Sequence, residues 1–169
     1  MNRATEYLKS LDHPEQAEMG PLVDRVIQDA IDAGSSDIHI EPWDSSLVVR
    51  IRLNGVLQEL VHLPLELSEK LSGRLKVMAN LISYETDRPQ EGHAQLDTSS
   101  GGVELRMSFF PVVRGSLQGS VLRGEKMVIR IFDPNKRSFN LDELGFEADT
   151  LTSLKQLLAR PSGMILLTG

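Results

Sequence analysis

Residues 34–55 read Gly34-Ser35-Ser36-Asp37-Ile38-His39-Ile40-Glu41-Pro42-Trp43-Asp44-Ser45-Ser46-Leu47-Val48-Val49-Arg50-Ile51-Arg52-Leu53-Asn54-Gly55. From Asp37 to Glu41 apolar and polar residues alternate, so Ile38 and Ile40 face one way and Asp37, His39 and Glu41 the other. Pro42 stops that run. The alternation returns from Leu47 to Leu53, with Leu47, Val49 and Ile51 on one parity and Val48, Arg50 and Arg52 on the other. Asn54-Gly55 supplies the two positive-φ residues of a type I′ hairpin turn. A third strand is therefore predicted over Val56 to Val61.

Outward from this stretch, the spacing predicts a helix from Pro21 to about Ala33, with Val23, Val26, Ile27, Ala30 and Ile31 as its apolar stripe and Gly34 just past its end. The polar segment 1–20, with charges of both signs and His13-Pro14, is expected to be a linker or short helix. A second helix should run from Pro64 to about Asn80 on Leu67, Leu71, Leu75, Met78 and Ala79. Strands are predicted over His93 to Thr98, Val103 to Phe110 and Glu125 to Phe132, with the Gly-containing segment Pro111 to Gly124 expected as a long mobile loop. A polar connector over 134–146 reads as a domain boundary, followed by a helix from Glu147 to Ala159. Met164-Ile165-Leu166-Leu167 is a continuous apolar run of the kind found in buried parallel strands. The fold class expected is α+β: a mixed or antiparallel sheet of about six strands over 21–133 with helices on one face, and a short tail over 147–169.

At 169 residues the chain suits one well-cored domain with appendages. Its net charge of -6 argues against non-specific binding to nucleic acid or to acidic membranes. With no cysteine, disulfides and cysteine-based metal sites are excluded, and a reducing cytoplasm is the compatible compartment. No long apolar run predicts direct membrane insertion. No metal site is expected either: Asp37, His39 and Glu41 share a strand face, but alternate strand residues lie about 7 Å apart and seldom converge on one ion.

A helix ending in Gly34-Ser35-Ser36-Asp37-Ile38-His39-Ile40-Glu41-Pro42, followed by Arg50-Ile51-Arg52-Leu53-Asn54-Gly55, resembles the domain that precedes the motor in the hexameric traffic ATPases of bacterial type II secretion and type IV pili. The family usually has Asp at the position of Asn54. Its Arg-x-Pro-Gln-Asp-Gly-Arg motif is met here by Arg88, Pro89, Gln90 and Gly92, with Glu91 in place of Asp and His93 in place of the final Arg. The resemblance spans Leu22 to Gly169. It implies a PAS-like domain followed by the first helix and strand of a RecA-like motor, with Gly169 as the first glycine of the phosphate-cradling Walker A loop, so that the chain is expected to stop at the motor's edge.

Arg50, Arg52, Arg106 and Arg130 all fall on the polar parity of predicted strands, and residues 101–137 carry seven Lys or Arg against three Asp or Glu. A solvated sheet face accounts for such a pattern. The resemblance implies instead that arginines of this domain approach ATP held by the motor, Arg88 and Arg106 matching best and Arg50 and Arg52 being further candidates. It also implies ATP and Mg2+ as cofactors of the full-length protein, with none required by this chain, which has no phosphate loop of its own. The implied partners are the protein's own motor domain, neighbouring subunits of a homohexamer and an inner-membrane platform protein, at a cytoplasmic site peripheral to that membrane. A stand-alone ligand-sensing domain and a pure interaction adaptor remain as alternative readings.

Overall fold

The computed structural model describes residues 2–98, 101–117, 120–133 and 140–168. The chain folds as two compact units, Met1–Asp133 and Pro134–Gly169.

The first unit is built on β1 (Asp37–Pro42), β2 (Leu47–Leu53), β3 (Val56–Leu63), β4 (Gln90–Thr98), β5 (Gly101–Leu117) and β6 (Ser120–Phe132), in the order β3-β2-β1-β6-β5-β4. Every ladder is antiparallel, so the α+β class is as expected and the sheet is not mixed. Asn54 and Gly55 have φ of 48° and 83°, as the two-residue β2–β3 turn requires. Because cross-strand partners point to the same face, register carries parity through the sheet. Ile38, Ile51 and Ile129 share one row, and Ile40, Val49 and Met127 another, all buried. The helices α2 (Met19–Asp32) and α3 (Ser68–Met78) cover this apolar side.

The end of α2 shows why it stops. The Gly34 amide donates to Ile31 O at 3.0 Å and the Ser35 amide to Ala30 O at 3.0 Å, with Gly34 at φ 74°, a Schellman closure that aims the chain into β1. Asn80 at φ 55° closes α3 in the same way, through amides of Asn80 and Leu81 onto Val77 O and Lys76 O.

Two stretches of the first unit are more ordered than their composition suggests. Of the two alternatives for this N-terminal segment, linker or short helix, the structure has the helix: α1 (Arg3–Lys9) lies there, its Ala4 and Leu8 buried in the same core as α2. Asp29 of α2 accepts from the backbone amides of Arg3 and Ala4 at 3.1 and 3.0 Å, satisfying donors that a helix start leaves open. This anchor comes from a distant part of the chain, so local composition does not reveal it. Likewise the described part of the segment 111–124, residues 111–117 and 120–124, is strand and not loop: β5 and β6 stay paired from Glu104↔Phe132 out to Leu117↔Ser120, with one register shift between Val113 and Gly115. Ladder hydrogen bonds outweigh the glycine content there.

The second unit contains α4 (Ala148–Leu158), preceded by a single 3-10 turn over Leu141–Glu143 that Asn140 caps by accepting from the Asp142 amide. Lys155 pairs with Asp142 at 2.6 Å. Met164 to Leu167, expected as a buried parallel strand, is not in a strand and its apolar side chains are exposed. A strand needs ladder partners, and this run has none among the described residues. Gly169 and residues 134–139 of the polar connector lie outside the described residues.

Candidate functional site

The side of the sheet away from the helices is charged. Register sets Arg52, Asp37, Arg130, Arg106 and His93 in one row across β2, β1, β6, β5 and β4. The next row holds Arg50, His39, Val128, Ser108 and Glu91. Parity therefore gathers three of the four arginines expected to act together, Arg50, Arg52 and Arg106, on one face. Arg88 is elsewhere, on the loop between α3 and β4, paired with Glu85 at 3.5 Å and 75% exposed.

Within the face, the arginines divide by what they touch. Arg50 is tied to Glu41, and its guanidinium lies over the Trp43 ring with 5.7 Å to the ring centre. Arg52 reaches Asp37 at 3.3 Å, His39 Nε2 at 3.3 Å and Gly55 O at 3.0 Å. Both are held in structural networks. Arg106 and Arg130 are 68% and 70% exposed, and each uses Nε alone toward a carboxylate: Arg106 to Glu104 at 3.0 Å, Arg130 to Asp37 at 3.2 Å. Among the described residues nothing engages their terminal amino groups. The two line an open depression of about 580 Å³ together with His93, Ser108, Glu91 and Glu104.

Three groups of this face titrate away from their ordinary values. Burial pushes the Asp37 carboxyl up, but the Ser36 hydroxyl at 2.8 Å and the Arg130 and Arg52 charges together outweigh it and hold the pKa low. Glu41 behaves alike: burial raises its pKa, while Lys126 at 2.7 Å and Arg50 lower it further. His39 is pushed down by burial first and by Arg52 second, against Asp37. Since Arg52 donates to Nε2, the neutral ring carries its hydrogen on Nδ1, an atom buried without a partner among the described residues.

Asp37, His39 and Glu41 are thus spent on neighbouring cations. Among the described residues no group of three or more His, Asp and Glu could hold a metal ion. None of the described helices is long and apolar enough to cross a membrane.

The loop carrying Arg88 is fastened from within. Lys76 of α3, fully buried, donates to Glu85 O at 2.6 Å and to Glu125 Oε1 at 2.6 Å, while Ser72 donates to Glu125 Oε2 at 2.6 Å. The Gln90 side-chain amide donates to Glu85 O and Ile82 O and accepts from the Ile82 amide. Gly92 then passes so close to the end of α3 that a Cβ there would lie 2.6 Å from Ala79 O. The motif residues Gln90 and Gly92 therefore have local architectural reasons to be what they are.

Comparison with known proteins fits this frame. A family model described as Type II/IV secretion system protein matches residues 12–169. The type IV pilus assembly ATPase PilB of Myxococcus xanthus is 35% identical over 156 residues, 92% of this chain and 26% of that protein. The type II secretion system ATPase E of Vibrio cholerae is 35% identical over 159 residues, 94% of this chain and 30% of that protein. The chain spans less than a third of the length of either relative. Among solved structures, the Legionella pneumophila ATPase DotB superposes with a TM-score of 0.56 at 13% identity, covering 78% of this chain and 34% of DotB, a likeness of fold. The match over nearly its whole length makes the chain a member of the type II/IV secretion system protein family.

Proposed function

We propose that this chain is the regulatory and assembly half of a hexameric ATPase that powers type II secretion or type IV pilus assembly. Its PAS-like sheet presents arginines to ATP, with its Mg2+, bound by a motor domain of which residues 147–169 are the beginning. The partners are that motor, neighbouring subunits and an inner-membrane platform protein reached from the cytoplasm. The reading is supported by one observation above others: Arg106 stands on the charged face with its terminal guanidinium nitrogens unengaged by other described residues, in a chain related to named secretion and pilus ATPases. A planar fork of donors suits the oxygens of a phosphate.

The test is ATP turnover of the full-length protein carrying Arg106→Ala or Arg106→Lys, beside thermal unfolding. Turnover should fall on the order of a hundredfold or more, arginine fingers contributing about a thousandfold and upward elsewhere. Lysine should recover little, since a point charge does not reproduce the fork. Unchanged turnover in a folded, assembled Arg106→Ala protein would return this face to a solvated surface.

A further inference from the structure

We infer that the outer part of the β5–β6 ladder is a docking arm whose free β6 edge accepts an added strand. The strand it takes is an extended acidic segment of a partner protein, with one apolar residue seated beside Trp43. This does not depend on the reading that arginines of the sheet meet ATP.

In the body of the sheet β6 lies between β1 and β5, and β5 lies between β6 and β4. The flanking ladders stop at Ile40↔Met127 and at Gln90↔Phe109. β5 and β6 nevertheless stay paired from Phe110↔Lys126 to Leu117↔Ser120, and over that length neither has a second neighbour among the described residues. A two-stranded ribbon is marginally stable in water, and each of its edges carries backbone donors and acceptors without a ladder partner. A third strand on one edge gives those groups partners and gives the ribbon the stability it lacks.

A cleft lies beside the β6 edge. Where β1 ends at Pro42 and the chain turns into β2, a space of about 640 Å³ opens between the turn and the base of the arm, with Trp43, Ser46, His62, Val112, Val113 and Lys126 in its walls. Trp43 and Val113 present exposed apolar surface there. An added strand takes the lane that β1 vacates, its backbone along residues 120–124 and one apolar side chain in the cleft.

Charge selects the partner. Residues 111–124 contain two arginines and no Asp or Glu, in a chain whose net charge is -6. The same edge of a second copy would bring like charges together across the new ladder. One short strand from each copy would also bury far less than the roughly 1,200 Å² that stable pairing of folded proteins requires, whereas a flexible segment docks through just such a strand. Asp or Glu at alternate positions of the incoming segment complements the arm.

The experiment titrates the isotope-labelled chain at low salt with three end-blocked synthetic heptapeptides: alternating valine and glutamate, alternating valine and lysine, and the glutamate peptide with proline at its centre. Amide exchange is read residue by residue. The glutamate peptide should slow exchange about tenfold at those amides of 120–124 that do not face β5, and bind about tenfold more tightly than the lysine peptide, with the gap narrowing in high salt. Proline removes a ladder donor and should weaken binding about tenfold. Trp43→Ala should weaken it about fivefold, while Trp43→Phe, which keeps a ring over Arg50, should retain most of it. Equal binding of the glutamate and lysine peptides would overturn the acidic partner. Protection confined to residues outside 120–124, or no binding at millimolar peptide, would overturn the docking edge. Sedimentation showing a dimer whose 120–124 amides are protected without peptide would give the edge to a second copy and overturn the proposal as well.

Discussion

The Lys76 ammonium and the Glu125 carboxylate meet at 2.6 Å inside the core, joining α3 to β6, with the Phe109 ring 5.4 Å from the ammonium. Both charges are out of water, so each depends on the other and on the Ser72 and Glu85 groups that complete their hydrogen bonding. Removing one partner leaves an uncompensated buried charge. Glu125→Leu should therefore destabilise the unit by about 3–5 kcal/mol, and adding Lys76→Met should restore a large part of that. Denaturant unfolding of both variants checks it, and equal losses for single and double would show that the charge is not the cause.

Glycines 73 and 92 should answer alanine with opposite signs. Gly73 lies within α3, where a Cβ meets nothing within 4 Å, so Gly73→Ala should stabilise by about 0.5–1 kcal/mol through helix propensity and unfolded-state entropy. Gly92→Ala drives a methyl group against the Ala79 carbonyl and should cost about 1–3 kcal/mol. Thermal midpoints moving in the same direction would contradict the close approach described for β4.

Acidification should weaken the first unit in two stages. His39 has a lowered folded pKa, so in the unfolded chain it binds its proton first. The stability tied to its neutral form is complete above about pH 6.5 and declines below it. Asp37 and Glu41 are also lowered, and their contribution, present above the ordinary carboxylate range, is lost as pH falls through their folded values. Thermal midpoints from pH 8 to pH 3 should show both declines, and His39→Gln should flatten the upper one only. An unaltered upper decline in His39→Gln would place its origin at another group.

The anchoring of α1 predicts a large effect from a single carboxylate. Asp29→Ala removes the acceptor for two backbone amides and one of the two carboxylates that Arg3 pairs with, Asp32 being the other, and it should cost about 1–2 kcal/mol, the range of a strong helix cap. Hydrogen exchange should then show residues 3–9 opening ahead of α2. If that segment keeps its protection, its other contacts, burial of Ala4 and Leu8 among them, suffice to hold it.

His93 is the cross-strand partner of Arg106 on β4. Replacing it by Arg restores the residue type that the family motif carries and adds a fourth guanidinium to the row. In the full-length protein His93→Arg should lower KM for ATP several-fold while leaving the thermal midpoint within a few degrees. A raised KM would mean that repulsion from Arg106 outweighs the added donor.

The sheet was legible because strand parity is local. Ile38, Val49 and Ile129 show their face by alternation alone, and Asn54-Gly55 names its own turn. The placement of α1 was not, because its stability depends on Asp29 and on burial of Ala4 and Leu8, which only tertiary structure supplies. The extension of β5 and β6 was hidden by glycines whose partners across the ladder decide the conformation. Of the arginines, Arg50, Arg52 and Arg106 could be put on one face by counting. The motif match pointed also to Arg88, but spacing says nothing about where a loop side chain projects. Arg130's proximity to Arg106 was within reach, since it needs only the assumption that the two strands form a hairpin in register.

The middle of this sheet is closed by chain segments that are synthesised far apart. Asp37 and Arg130, 93 residues distant in sequence, meet where β1 pairs with β6. Until residue 132 has been made, β1 has only one neighbour, and the apolar side formed by Ile38 and Ile40 lacks the strand that completes it. Closing so long a loop costs entropy before any contact repays it, and topologies of this kind fold slowly. The first unit should consequently acquire its structure late and all at once as it leaves the ribosome, and a nascent chain stalled before β6 should be a client for chaperones.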